Sequence, residues 1–114
     1  MLTLFHHPMS TASRFVRLGL SEYDVEFDLV EEKPWSRRPE FLALNPAGTL
    51  PVMVAEREHK LSGAMVIAEY LDETRGAFKR ERRLLAEDPF ERAETRRLCG
   101  WFLTKMENEV TKQL

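Results

Sequence analysis

Asn45-Pro46-Ala47-Gly48-Thr49-Leu50-Pro51-Val52 is the stretch on which the fold turns. Two pairs of turn formers, Asn-Pro and Ala-Gly, run into a proline followed at once by the β-formers Val52-Met53-Val54. Proline has no N–H to give to a ladder, so it belongs at a strand's first residue. Its position leaves the backbone N–H and C=O of Leu50 outside ordinary sheet pairing. A trans Leu50–Pro51 bond is the default and a cis bond makes a tighter corner; the residues alone leave both open.

On the C-terminal side, Pro51 to Ala55 and Lys60-Leu61 read as a hairpin across the charged tip Glu56-Arg57-Glu58-His59. Ser62 is expected to cap the next helix, whose apolar residues are Met65, Val66, Ile67, Tyr70 and Leu71. Gly76 closes it, as glycine often does just past a helix end. On the N-terminal side, a short helical piece, Glu40 to Leu44, follows the polar, proline-bearing loop Glu31 to Pro39. Val25-Glu26-Phe27-Asp28-Leu29 alternates strictly, as a half-buried strand does. Before it, Ser10-Thr11 opens an amphipathic helix with Ala12, Phe15, Val16, Gly19 and Leu20 at helical spacing, and either hydroxyl can serve as N-cap. Leu2 to Phe5 is a first strand, stopped by His6-His7-Pro8. Strand, helix, strand in that order predicts a parallel βαβ unit with a right-handed crossover.

Beyond Gly76 the residues from Phe78 to Glu87 are charge-rich and read as a linker. Asp88-Pro89 is a strong helix start, an N-cap carboxylate with proline at the first helical position. Phe90, Ala93, Arg97, Leu98, Trp101, Phe102, Met106 and Val110 track one face of the long helix that follows. So wide an apolar face needs a partner that the few remaining residues cannot supply. Either another chain covers it or these 114 residues are the front part of a longer protein, and the second reading is favoured.

The net charge of −2 and pI of about 5.9 give no reason to expect a nucleic-acid or membrane partner. One cysteine, Cys99, precludes an internal disulfide and fits a reducing compartment. The N-terminus lacks a signal-peptide pattern and no apolar run is long enough to span a bilayer, so the expected location is the cytoplasm. His6 and His7 have no cysteine or carboxylate at ligand spacing, so no metal site is expected. Cys99 reads as a packed small residue and His59 as a solvated one at a hairpin tip.

Four stretches resemble the glutathione S-transferase family. His7 to Arg17 resembles the first loop and helix of its serine-type members, particularly the phi and zeta classes. Phe41 to Pro51 resembles the segment ending in the family's cis-proline. Leu61 to Leu71 resembles the helix after it, and Asp88 to Phe102 the first helix of the all-helical second domain. The resemblance implies an α/β, thioredoxin-like βαβ-α-ββ-α domain over residues 1–76, a linker at 77–87, and the start of an all-α domain at 88–114. It also implies a cis Pro51, glutathione as co-substrate, a small electrophile as acceptor, a role in detoxification and a homodimer in the full-length form.

The thiol of glutathione, if it behaves like free cysteine, has a pKa of about 8.5, so the reactive thiolate must be stabilised. A hydroxyl donating to sulfur does so, and a helix N-terminus adds partial positive charge. By the resemblance Ser10 is the catalytic residue, with Ser13 the fallback donor. Leu50 would pair through its backbone with the peptide part of glutathione. Arg37 or Arg38 could meet the glycyl carboxylate, while Trp35 reads as a packing residue. The γ-glutamyl end belongs at Ser62, Gly63 and Ala64, and here the chain departs from the family. An acidic or amide residue followed by serine usually stands where Gly63 and Ala64 do. Two readings therefore stand: a serine-type glutathione transferase, or a catalytically silent binding or assembly module of the same fold.

Overall fold

The computed structural model describes residues 2–76 and 85–109, with side chains to residue 106. Its elements in order are β1 (Leu2–His6), α1 (Thr11–Glu22), β2 (Phe27–Glu31), a 3-10 turn at Pro34–Ser36 and α2 (Pro39–Leu44). β3 (Val52–Val54), a second 3-10 turn at Glu56–Glu58, β4 (Lys60–Ser62), α3 (Ala64–Thr74) and α4 (Pro89–Glu109) complete it. The four strands form one sheet in the order β2-β1-β3-β4. β1 and β2 run parallel, Leu2 opposite Phe27 and His6 opposite Glu31. β3 is antiparallel to both of its neighbours. This mixed sheet, with helices on it, is the thioredoxin-like arrangement.

Alternation along β1 divides the core into two layers. Leu2 and Leu4 face α1 and α3, where they pack with Val16, Leu20, Tyr23, Ile67 and Leu71. Phe5 points the other way and meets Phe41 of α2, their ring centroids 6.2 Å apart. Burying side chains of this size contributes about 1.5–3 kcal/mol each.

Two local expectations shift. β2 begins two residues later than the alternating run, because the Val25 N–H donates to the Leu20 carbonyl at 3.0 Å and finishes the turn out of α1. Leu29, on this edge strand, is exposed. Ser62 does not cap α3: it lies in β4 opposite Val52, and Gly63 is the N-cap, with no side chain to accept a hydrogen bond. α3 ends at Thr74 with Arg75 as its C-cap, and Gly76 follows just past the helix end.

α4 starts as its sequence predicts. Asp88 Oδ2 accepts from the Glu91 N–H at 2.9 Å, and Pro89 is the first helical residue. The helix turns Arg92, Thr95, Cys99 and Leu103 toward α1 and α3, leaving Phe90, Leu98, Trp101 and Phe102 exposed. An apolar groove of about 450 Å3 runs between α1, α3 and α4, and half-buried Cys99 lies in its wall. Val110 and most of the expected linker lie outside the described residues.

Candidate functional site

Three loops and two helices, α1 through Ala12 and α4, converge on a pocket of about 440 Å3. His7, Met9 and Ser10 come from the β1–α1 loop, Pro34 and Trp35 from the turn after β2, and Gly48, Thr49 and Leu50 from the loop before β3. Leu103 of α4 closes the far side.

Ser10 is the N-cap of α1, its backbone extended and its Oγ accepting from the Ser13 N–H at 3.1 Å. A serine hydroxyl is donor and acceptor at once, so this cap leaves the Ser10 proton for a group in the pocket. The positive end of α1 adds to the same potential. Ser13, one turn on, is completely buried and does not line the pocket.

The Leu50–Pro51 peptide bond is cis. Asn45 builds the loop that leads to it. This buried side chain donates through Nδ2 to the Thr49 carbonyl at 2.9 Å, and its Oδ1 accepts from the Ala47 N–H at 3.2 Å. Gly48 completes the turn with φ of +69°, the left-handed region open to glycine. Buried Pro51 sits behind the pocket, and its carbonyl accepts from the Gly63 N–H at 3.1 Å, tying the corner to the start of α3.

The tertiary structure separates the two arginines. Arg38 is committed to Glu32: Nη2 lies 2.8 Å from Oε1 and Nε 3.2 Å from Oε2, a two-pronged pair on a buried carboxylate. Arg37, left-handed at φ of +48°, brings Nη1 to 3.7 Å from where a Cβ on Gly48 would stand. Arg37 thus stands beside Gly48, a residue of the pocket wall, without itself lining the pocket.

Trp35 is no packing residue. It is 66% exposed, lines the pocket and meets His7 edge-on at 5.0 Å between centroids. His7 Nδ1 accepts from the Met9 N–H at 3.1 Å, which orients the ring. A tryptophan next to proline in a polar loop gave no periodicity from which this placement could be read. At the start of α3 the side chains offer little: Ser62 is exposed, Gly63 has none, and Ala64 is buried. What remains there is the backbone N–H groups of a first helical turn.

Residues 9–74 match the family described as glutathione S-transferase, N-terminal domain. The chain belongs to the glutathione S-transferase family. It is 41% identical over 111 residues to FtsZ-localized protein A of Caulobacter vibrioides, a match covering 95% of this chain and 47% of that protein. It is 31% identical over 100 residues to maleylacetoacetate isomerase of Pseudomonas aeruginosa, covering 83% and 45%. Among solved structures, a glutathione S-transferase from Sinorhizobium meliloti superposes with a TM-score of 0.93 at 65% identity, covering 98% of this chain and 48% of that one. The chain thus spans about half the length of the glutathione S-transferase relatives it matches. Among the described residues there is no group of three or more His, Cys, Asp or Glu side chains that could hold a metal ion. No described helix is long and apolar enough to cross a membrane.

Proposed function

We propose that this protein is a glutathione S-transferase-like binding and assembly module, part of a longer chain, and that it does not conjugate glutathione. The carrying observation is the start of α3, where Gly63 caps the helix without a side chain and Ala64 follows it. A carboxylate and a hydroxyl contact to the γ-glutamyl end are both lost. Together they are worth about 2–4 kcal/mol, or about thirtyfold to several-hundredfold in affinity. The relative named for its localisation with FtsZ supports the same reading, and an FtsZ-type polymer is the partner proposed. The location proposed is the cytoplasm, and the full-length form is proposed to be a homodimer.

Titration calorimetry of the full-length protein with glutathione, beside co-sedimentation with FtsZ polymers from the same organism, tests this. The expected result is no heat at millimolar glutathione together with protein in the FtsZ pellet. Saturable glutathione binding with no FtsZ association would overturn it.

One observation favours a second reading, a serine-type transferase: the Ser10 proton is available to a thiolate in a pocket that also holds Leu50. That reading requires turnover of a small aromatic electrophile by the full-length protein, abolished in Ser10→Ala.

A further inference from the structure

The ladder between β1 and β3 ends at the pair Phe5–Val52, two residues short of Leu50. Leu50 therefore stands past the end of the sheet, half-buried, in the wall of the 440 Å3 pocket. A main chain in that position can receive a further strand, since its N–H and C=O have no partner in the ladder. The mouth of the same pocket is apolar. Trp35 and Met9 are 66% and 51% exposed, and Leu103 joins them in the lining. Trp35 is braced in place: its ring meets His7 edge-on at 5.0 Å, and the Met9 N–H fixes His7 by donating to Nδ1. An aromatic set in advance loses little freedom on binding, and tryptophans of this kind are frequent anchors of protein contacts. Among the described residues no acid lines the pocket, the first turn of α1 carries none, and Arg37 stands beside Gly48 of the wall. The potential there suits an acidic ligand.

Resting on the reading of the chain as an assembly module, we infer that the FtsZ-type partner docks in this pocket through an extended, acidic segment of its own chain. The segment's main chain pairs with Leu50 as an added strand, and one bulky apolar side chain packs against Trp35, Met9 and Leu103. Glutathione is the poorer fit. It finds no side-chain contacts for its γ-glutamyl end at positions 63 and 64, and its small thiol side chain would leave most of the apolar mouth wet. A peptide bearing an aromatic or leucine side chain covers that surface and needs nothing from α3.

The full-length protein and FtsZ polymers from the same organism test the inference. Affinity by co-sedimentation is compared for wild type, Trp35→Ala and Leu29→Ala, the last an exposed leucine on β2 outside the pocket wall. Amide hydrogen exchange at Leu50 is followed with and without polymer. The expected results are a loss of about thirtyfold in Trp35→Ala, a change under about twofold in Leu29→Ala, and slower exchange at Leu50 only with polymer. If wild type does not sediment, the module reading fails and this docking mode with it. If wild type sediments but Trp35→Ala binds no more weakly than Leu29→Ala, or exchange at Leu50 is unchanged by polymer, the docking site alone is overturned. Slow exchange at Leu50 without polymer would assign the pocket to a later segment of the same chain, and saturable glutathione heat would assign it to glutathione. Either result overturns the inference.

Discussion

Arg92 Nη1 lies 2.7 Å from Asp72 Oδ2, and the Asp72 side chain has no exposed surface. Arg92 Nη2 also reaches Glu69 Oε2 at 2.6 Å, and Arg96 Nε lies 3.1 Å from Glu69 Oε1. Two acids on α3 thus meet two arginines on α4, and the helix that contributes Leu103 to the pocket is fixed by charge as well as by packing.

Removing one partner of a buried pair strands the other charge, which costs far more than the intact pair contributes. Arg92→Met is therefore expected to destabilise the full-length protein by about 3 kcal/mol. The double variant Arg92→Met with Asp72→Leu is expected to recover much of that loss. Urea denaturation of the three variants beside wild type checks both, and a single-variant loss below about 1 kcal/mol contradicts the argument.

Ser10 carries two separable jobs. Ser10→Ala is expected to cost about 1 kcal/mol through loss of the α1 cap. Ser10→Asp keeps an acceptor for the Ser13 N–H and is expected to hold stability near wild type while removing the neutral hydroxyl donor. Thermal denaturation ranks the variants. Equal losses in both would show that the cap is not what Ser10 contributes to folding.

Gly63 has φ of +99° and ψ of 140°, a region essentially confined to glycine, and its φ is strained for any L side chain even though the space around it is open. Gly63→Glu, the substitution that restores the family's acidic residue, is expected to destabilise by about 1–3 kcal/mol. With Ala64→Ser added, both lost contacts are restored, and glutathione affinity is expected to rise about thirtyfold to several-hundredfold, read as heat in calorimetry where wild type gives none. Stability and binding must be read on the same samples, so that strain is not mistaken for failure to bind.

His6 titrates below its ordinary value of 6.5, chiefly because burial disfavours the charged ring and next because of the Arg17 charge. A depressed histidine leaves the folded state with fewer bound protons than the unfolded chain once pH drops under 6.5. Its contribution is thus intact above 6.5 and is lost as pH falls through the folded-state value. Wild type is expected to lose stability in that acidic direction, and His6→Leu to show a shallower slope. Denaturation midpoints from pH 7.5 down to about pH 5 provide the comparison. Identical slopes would remove His6 from the account.

Much of the fold was legible because it is written in short-range chemistry. The Ser10 cap and the Asp88-Pro89 start each depend on residues within three positions, and the strand and helix periods repeat within a handful. The resemblance of Phe41 to Pro51 to a known family extended that reading to the corner at Leu50. Legibility failed where a residue's partner lies far along the chain or where two local rules compete. Val25 satisfies the strand alternation, yet its N–H is taken by Leu20, and β2 moves accordingly.

The sequence by itself determined the order of the main elements, the starts of α1 and α4 and the absence of polar side chains at positions 63 and 64, since each is a property of adjacent residues. The tertiary structure alone decided that Arg38 is spent on Glu32 while Arg37 stands over Gly48, and that Trp35 faces the pocket. It also decided that Arg92 joins α4 to acids some twenty residues earlier. Those outcomes rest on which surfaces lose water together when the sheet closes, and no local pattern carries that information.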